Sequence, residues 1–280
     1  MVSIHVEPTS RCTLCCPRCE RTVFIDKFGK KNFSIGDVDI DALENFIDTR
    51  CDDIILCGNV GDPIYHREFL KLVKMCTLKC QRIIITTNGS YKSRKWWRTL
   101  NNVLRTSDEI QFSIDGLPEN FTKYRVNADW DSIQVGIEEC VAGPATTIWK
   151  YIPFSFNEHD IAQTRELSQS LGIDKFRIYP SDRWLIDDPL RPSESQYTGR
   201  RDDLQQQYKK ESTKDFEINP ENYGAYFFRG ALQFSIKRNR NSELTACNDI
   251  KKAYLVNFPP ALEYVKENES SLRKYCRGFY

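Results

Sequence analysis

The 280-residue sequence lacks both a long apolar run and an excess of charge of either sign. No stretch approaches the roughly 20 apolar residues that a membrane-spanning helix needs. Its 40 Lys and Arg residues nearly balance 39 Asp and Glu residues, so overall charge favours neither a membrane surface nor a nucleic acid as partner. The first residues, "MVSIHVEPTSR", have no basic head followed by an apolar region and predict no secretory signal. We therefore expect a cytoplasmic protein.

Histidine is also scarce, and no internal repeat is visible. The three histidines stand singly, at His5, His66 and His159, and none of them indicates a metal site by its spacing. Cysteine has an unusual distribution instead, since four of the 11 cysteines fall within the stretch "CTLCCPRC" (12–19). In a reducing cytosol, clustered cysteines bind metals or carry out redox chemistry more often than they form structural disulfides.

Short stretches rich in Ile, Val and aromatic residues alternate with helical patterns, which is typical of a parallel α/β sheet. We predict strands over 2–8, 53–57, 82–87, 109–114, 148–154 and 175–180. Apolar residues at helical spacing predict helices over 39–50, 66–80 and 157–173. This order predicts a partial (β/α)6 TIM-like barrel over residues 1–187. A polar linker or surface excursion (188–222) and a small C-terminal appendage (223–280) follow.

Polar or glycine-bearing stretches follow each of the first four predicted strands. They are the cysteine stretch, "CGNVGDP" (57–63), "TNGS" (87–90) and "SIDG" (113–116). In parallel α/β folds, the chemistry lies at the carboxyl ends of the strands. The four stretches therefore predict one site on a single rim of the sheet.

Three interpretations fit the clustered cysteines. They are reduced thiols without a ligand, a zinc site, or an iron–sulfur cluster. Two abutting Cys-x2-Cys pairs suit zinc poorly, because zinc sites usually join such pairs through a longer loop. Cys12, Cys16 and Cys19 form Cys-x3-Cys-x2-Cys, and three thiolates on one short loop can hold three irons of a cubane cluster. The fourth iron would then be open to another ligand.

The ordered set of motifs resembles the radical S-adenosylmethionine (SAM) superfamily. Cys-x3-Cys-x2-Cys after a first strand is similar to its cluster motif, and "CGNVGDP", "TNGS" and "SIDG" look like its motifs at later strands. The run "WKYIPFSFNEHDIAQTRELSQSLGIDKFRIYP" (149–180) resembles the subgroup with SPASM or twitch extensions. The resemblance implies a [4Fe–4S] cluster on Cys12, Cys16 and Cys19. One electron from that cluster would cleave SAM, and the resulting radical would take hydrogen from a substrate.

The resemblance also implies which residues bind SAM. Glycines would let the backbone approach the ligand closely, carbonyls of the second-strand motif would accept from the SAM ammonium, and Lys150 would pair with its carboxylate. The implied cofactor-binding residues are Gly58, Asn59, Val60, Gly61, Asp62, Asn88, Ser113, Asp115, Lys150 and Pro180.

Two departures from the family pattern stand in the cysteine stretch. The position before the last cysteine is often aromatic in the family, and this chain has Arg18. Cys15 is an additional thiol that we expect to be packed and to point away from the cluster. Past residue 182 only Cys247 and Cys276 remain, too few for a conventional auxiliary cluster. The remaining cysteines are expected to be core thiols, namely Cys51, Cys57, Cys76, Cys80 and Cys140.

The resemblance implies a radical SAM enzyme that acts on a peptide or protein side chain or on a small metabolite. An electron donor such as flavodoxin or ferredoxin would reduce its cluster. Nucleoside or tRNA modification is an alternative, since "KSRKWWRTL" (92–100) mixes basic and aromatic residues, although an amphipathic helix is the favoured interpretation of that stretch. A non-catalytic zinc-binding module is the alternative from another class.

Overall fold

The structure is a computed structural model. It describes residues 3–33, 35–47, 50–58, 60–181 and 187–198, and two short strands at 237–238 and 244–245. Six strands form one parallel sheet in the order of the chain. They are β1 (Ser3–Val6), β2 (Cys51–Leu56), β3 (Cys80–Thr87), β4 (Glu109–Ser113), β5 (Thr146–Tyr151) and β6 (Lys175–Ile178). All six predicted strands are confirmed, with shifted ends.

The strand register places the carboxyl ends of neighbouring strands side by side. Val6 pairs with Leu56, Leu56 with Ile85, and Ser113 with Lys150. Within the described residues β6 does not pair with β1, so the sheet is an open barrel. The predicted α/β class and partial barrel are confirmed.

Helices connect the strands. They are α1 (Glu20–Phe28), α2 (Ile40–Phe46), α3 (Phe69–Lys79), α4 (Arg94–Asn101), α5 (Trp130–Val141) and α6 (Ile161–Ser170). The predicted helices over 39–50, 66–80 and 157–173 correspond to α2, α3 and α6, and α4 confirms the helix favoured over 92–100. Two short strands, β7 (Lys237–Arg238) and β8 (Leu244–Thr245), pair antiparallel.

The main core lies between one face of the sheet and the helices. Ile54, Ile85 and Phe112 are fully buried there, and the Trp97 ring of α4 lies 5.7 Å from the Phe112 ring between centroids. α5 approaches α4 closely at Gly136, where a Cβ atom would stand 2.8 Å from the Trp97 ring. The apolar face therefore fixes the helices on one side of the sheet and leaves alternate strand residues on the other.

Alternate residues of the strands carry charge. Arg82 on β3 pairs with Asp53 on β2 at 2.8 Å and with Glu109 on β4 at 3.4 Å, and Glu109 lies 3.9 Å from Arg177 on β6. These pairs join four strands. The face opposite the main core is therefore polar, in contrast to the closed apolar interior of a full barrel.

Residues 187–198 pack against the barrel. The backbone N–H of Ser155 donates to the Leu190 carbonyl at 3.1 Å, and Ser181 forms a parallel bridge with Thr198. The start of the predicted linker thus contacts the barrel. The rest of that linker and most of the appendage at 223–280 lie outside the described residues and stay predictions. Among the helices that the structure describes, none is both long and apolar enough to cross a membrane.

Candidate cluster and cofactor site

A cavity opens at the carboxyl ends of the first four strands. The loop after each of these strands contributes to its wall. The lining residues are Cys12, Leu14, Cys16, Cys19, Cys57, Gly58, Val60, Gly61, Asp62, Thr86, Thr87, Asn88, Ser113, Tyr124 and Arg125.

The cysteine loop runs from the end of β1 to the start of α1. Cys16 is buried, while Cys12 and Cys19 are partly exposed, and all three line the cavity. Leu14 anchors the loop in a second apolar cluster that also contains Tyr124 and Phe154. The short loop therefore turns three thiols toward one space.

Arg21 of α1 braces the same loop from its other side. Its guanidinium donates to the Leu14 carbonyl at 2.7 Å and to the Cys12 carbonyl at 3.1 Å. These two carbonyls lie outside the strands and helices, and Arg21 supplies their hydrogen-bond donors. The hydrogen bonds of Arg21 and the packing of Leu14 thus stabilise the conformation of the cysteine loop.

The surroundings of Cys12 and Cys16 favour the protonated thiol. Burial raises the pKa of Cys12 to about 12, and the nearby Asp62 carboxylate adds to the increase. Burial also raises the pKa of Cys16, although the Arg125 guanidinium opposes that shift. A metal centre that displaces these protons would find ligands already in place.

Cys15 lies apart from the other three cysteines. It is exposed, and its thiol accepts from the Asn127 side chain at 3.6 Å. Its backbone N–H donates to the Val126 carbonyl at 3.0 Å. Cys15 does not line the cavity, and the expectation that it is a packed thiol is wrong, because it is exposed.

Cys12, Cys16 and Cys19 share the wall of one cavity. Among the described side chains, no three His, Cys, Asp or Glu groups are placed to hold one metal ion. A tetrahedral zinc site would need sulfurs about 2.3 Å from one point, whereas each thiolate of a cubane cluster binds a different iron. The choice of an iron–sulfur cluster over zinc stays a prediction.

The loop after β2 depends on two glycines. A Cβ atom on Gly61 would stand 1.9 Å from the Thr9 carbonyl oxygen, and one on Gly58 would stand 2.3 Å from the Gly61 carbonyl oxygen. Only glycine allows this approach. The backbone of this loop therefore lies directly beside the cysteine loop. Asn59, which belongs to the same predicted motif, lies outside the described residues.

Asp62 holds the loop after β3. Its carboxylate accepts from the Asn88 backbone N–H at 2.6 Å, from the Asn88 side chain at 2.5 Å and from the Thr87 hydroxyl at 2.8 Å. The Asn88 side chain also donates to the Cys12 thiol at 3.7 Å. The motifs after β2 and β3 are thus linked to a cluster cysteine by hydrogen bonds.

Arg125 is the cationic residue of the cavity wall. Its Nε lies 2.7 Å from Asp115 Oδ2, and the Asp115 side chain is fully buried. The other Asp115 oxygen accepts from the Ile152 backbone N–H at 2.8 Å. Asp115 thus supports Arg125 from behind the cavity wall and is not itself a lining residue. Its predicted contact with a cofactor stays a prediction.

Nine of the predicted site residues meet at the cavity: Cys12, Cys16, Cys19, Gly58, Val60, Gly61, Asp62, Asn88 and Ser113. Lys150 and Pro180 are not part of this wall. The Lys150 ammonium lies 4.5 Å from the Tyr179 ring centroid, and Pro180 is exposed after β6. Their predicted contacts with SAM stay predictions.

Sequence reasoning missed several wall residues, above all Tyr124 and Arg125. They stand in the long connection between β4 and α5, far from any strand end, so no motif pointed to them. Cys57 was expected to be a core thiol, but it is only partly buried and lines the cavity. Cys57 directly follows β2, and this position at a strand end could have predicted that it lines the cavity.

Comparisons with known proteins agree with this architecture. No family model matches the chain. Over 118 residues it is 27% identical to the tungsten-containing aldehyde ferredoxin oxidoreductase cofactor-modifying protein of Pyrococcus furiosus, a stretch that covers 42% of this chain and 32% of that relative.

Two solved structures share the fold. A structure of native anSMEcpe with bound AdoMet and the Cp18Cys peptide has a TM-score of 0.53 at 14% identity, covering 68% of this chain and 54% of that one. Streptococcus suis SuiB bound to S-adenosylmethionine has a TM-score of 0.52 at 13% identity, covering 75% and 46%. The chain thus matches about half the length of these structures, and the resemblance to the radical SAM superfamily is confirmed at the level of the fold.

Proposed function

We propose that the chain is a radical SAM enzyme whose cluster is held by Cys12, Cys16 and Cys19. The observation that carries this proposal is the convergence of three thiols of one loop on a cavity that the glycine loop after β2 also lines. A [4Fe–4S] cluster bound there would supply the electron that cleaves a carbon–sulfur bond of SAM. Two structures of the same fold are described with that ligand bound, which supports the choice of cofactor.

The glycine loop after β2 would bind the amino group of SAM. Gly58 and Gly61 bring backbone carbonyls to the cavity wall without a side chain in the way. Asp62, which is 5% exposed, places a carboxyl group behind that wall. Carbonyl oxygens together with a nearby carboxylate stabilise an ammonium group in a partly dehydrated site.

Arg125 would bind a carboxylate. The cavity wall combines this guanidinium with the Ser113 hydroxyl at the end of β4. Asp115 raises the pKa of Arg125 against the effect of burial, so the cation persists at the pH of any assay. A guanidinium fixed by a buried partner is ready to accept a second carboxylate without reorganisation.

The apolar side of the cavity would exclude water. The Tyr124 and Phe154 rings pack with their centroids 4.2 Å apart and their planes tilted by 35°, and Leu14 packs in the same cluster. A dry wall beside the reacting centre limits side reactions of a radical intermediate. These residues therefore shape and protect the site without taking part in the chemistry.

A peptide or protein side chain is the substrate class that we propose. Its support is the structure of the same fold described with a bound peptide. Modification of a small metabolite or cofactor is the second candidate, because the Pyrococcus furiosus relative is described as cofactor-modifying. The tRNA alternative gains nothing from α4, since Arg94 and Arg98 pair with Glu138 and Glu139 of α5.

Reconstitution with iron and sulfide under anaerobic conditions tests the proposal. We expect about four irons and four sulfides per chain, and formation of 5′-deoxyadenosine and methionine when SAM and a reductant such as flavodoxin or ferredoxin are added. Cys16→Ala should abolish both, and the adjacent Cys15→Ala should change neither. A colourless protein that binds one zinc ion per chain would contradict the proposal and support the zinc-binding module.

Deuterium transfer tests the substrate class. Peptides with deuterated side chains are compared with deuterated small metabolites, and deuterium in 5′-deoxyadenosine is measured by mass spectrometry. We expect transfer from a peptide. Transfer only from small molecules would favour the second candidate.

A further inference from the structure

Arg18 lies between two of the proposed cluster ligands, Cys16 and Cys19, and binds a carboxylate from a distant part of the chain. Its Nε donates to Asp188 Oδ2 at 2.6 Å, and its Nη2 donates to Asp188 Oδ1 at 2.8 Å. The Asp188 side chain is fully buried, and that of Arg18 is 33% exposed. Two parallel charge-assisted hydrogen bonds fix both the distance and the orientation of the two groups.

Asp188 is the second residue of a segment, residues 187–198, that we call the strap. Its Oδ1 also accepts from the Leu190 backbone N–H at 3.0 Å. The strap is bound to the barrel by Ser155, which donates from its backbone to Leu190 and from its hydroxyl to the Pro189 carbonyl at 2.6 Å. Further along, Glu158 accepts from Ser193.

The strap also contacts the apolar wall behind the cysteine loop. Leu190 packs against the cluster that contains Leu14, Cys16, Tyr124 and Phe154. Arg18 and Leu190 therefore connect the strap to the same loop in two ways, one ionic and one apolar. The buried Asp188 carboxylate has the Arg18 guanidinium as its counter-charge.

We propose that the Arg18–Asp188 pair is a clamp that positions Cys16 and Cys19 for the cluster by fixing their loop to the strap. Arg18 occupies the sequence position where an aromatic residue is common in the family that the sequence resembles. Because the pair is neutral as a unit, it adds rigidity next to Cys19 without adding net charge. The positioning of the thiols follows from the geometry of the chain, while its consequence for a cluster rests on the proposed function.

Thiol alkylation of the protein without iron tests the clamp directly. In Arg18→Ala and Asp188→Asn, we expect iodoacetamide to modify Cys16 and Cys19 about tenfold faster, because their loop opens more often. Cys15 is already exposed and should react at its original rate. Cys140 is a buried residue of α5 and reports global unfolding. Lys71→Gln, which removes the exposed ion pairs of Lys71 with Asp41 and Glu68, is the matched control and should change no rate.

Equal rates at Cys16 and Cys19 in the wild-type protein and both variants would overturn the proposal. If Arg18→Ala also exposes Cys140, the conservative Arg18→Lys decides, since it keeps the charge and loses the paired geometry. Faster alkylation of Cys16 and Cys19 alone in that variant supports the clamp. No change at these two thiols contradicts it.

The reconstituted protein gives a second measurement. With a chelator present, both clamp variants should release iron about tenfold faster than the wild-type protein. Their reduction potentials should shift in opposite directions, since Asp188→Asn leaves an added positive charge near Cys19 and Arg18→Ala leaves a negative one. A purely structural weakening would not produce opposite shifts. If the wild-type protein forms no cluster, the proposed function fails, and the alkylation result still decides on the clamp.

Discussion

Two groups of cysteines lie at opposite ends of the same sheet. Cys12, Cys16 and Cys19 follow the carboxyl end of β1 and line an open cavity. Cys51 and Cys80 begin β2 and β3 as register partners, and Cys76 lies one helical turn before Cys80. Both groups contain three thiols, so their number does not distinguish them.

The surroundings of the two groups differ. At the amino ends of the strands, Cys80 donates to the Cys76 carbonyl at 3.2 Å, and all three thiols belong to the main apolar core. At the carboxyl ends, loops keep a cavity open beside the thiols. The position of a thiol relative to the strand direction therefore decides whether a ligand can reach it, as expected for parallel α/β folds.

Each group also has an arginine and a buried aspartate. Arg125 lies beside Cys16 and pairs with Asp115, whereas Arg105 donates to the Cys80 thiol at 3.8 Å and pairs with Asp108 at 2.8 Å. The arrangement of charges is similar at both ends. The two arginines differ in access, because Arg125 lines the cavity and Arg105 does not.

The largest contrast is expected for iron binding. Cys16→Ala removes a proposed ligand and should lower the iron content of the reconstituted protein at least about tenfold. Cys80→Ala should leave the iron content unchanged and cost about 1–2 kcal/mol of unfolding free energy through lost core packing. Iron analysis and urea unfolding measure the two effects. Iron loss in Cys80→Ala without unfolding would break the distinction between the groups.

The two arginines should differ in function and also in stability. Arg125→Met leaves the buried Asp115 carboxylate without its counter-charge and should cost about 3–5 kcal/mol. Arg105→Met should cost less, about 2–3 kcal/mol, because two backbone N–H groups still donate to Asp108. Adding Asp115→Asn should recover part of the loss in Arg125→Met.

Ligand binding separates these arginines more sharply. SAM affinity, measured by equilibrium dialysis on reconstituted protein, should fall in the Arg125→Met/Asp115→Asn double variant and not in Arg105→Met. Equal SAM affinity in both would remove Arg125 from the site.

Gly61 tests how closely the loops around the cavity must pack. Gly61→Ala places a Cβ atom against the Thr9 carbonyl, so the loop must move, at a cost of about 2–3 kcal/mol. SAM affinity should fall together with stability, as measured by dialysis and urea unfolding. Stability loss with unchanged SAM affinity would show that the loop after β2 does not bind the cofactor.

The smallest expected effect concerns pH. Burial raises the pKa of Cys51 to about 11 and also raises the pKa of Cys76 well above its usual value. Above about pH 8.5, where thiols of the unfolded chain ionise, the folded protein keeps these protons, so its stability falls as pH rises. Each such thiol contributes up to about 1.4 kcal/mol per pH unit.

Cys76→Ala should therefore reduce the steepness of this fall in the iron-free protein, as measured by urea unfolding between neutral and alkaline pH. The neighbouring Leu72→Ala should lower stability by a similar amount at every pH and leave the steepness unchanged. An unchanged steepness in Cys76→Ala would show that its proton does not contribute.

Sequence patterns predicted the elements whose residues lie close together along the chain. The six strands, the cysteine loop and the glycine loop each form a continuous stretch, and the fold rule for strand ends brought them to one rim. Cys51, Cys76, Cys80 and Cys140 were correctly predicted as core thiols. Helices α1 and α5 were missed. α5 contains Gly136, which lowers helix propensity and is explained only by its contact with Trp97.

Contacts between distant parts of the chain could not be predicted in this way. Arg125 meets Asp115 through a turn that begins at Phe121, and Arg18 meets Asp188 across 170 positions of sequence. Neither pair leaves a periodic signal. The role of Asp62 as the acceptor for the Asn88 loop also depends on two strands being neighbours, which only the assembled sheet reveals.

Electron paramagnetic resonance of the reduced, reconstituted protein with and without SAM is the most direct measurement. If three thiols hold a cluster and leave one iron open, SAM should change the spectrum of the wild-type protein and of Cys15→Ala, and Cys16→Ala should show no such cluster signal. A spectrum that SAM leaves unchanged, or a full cluster signal in Cys16→Ala, would contradict the assignment of Cys12, Cys16 and Cys19 as the ligands.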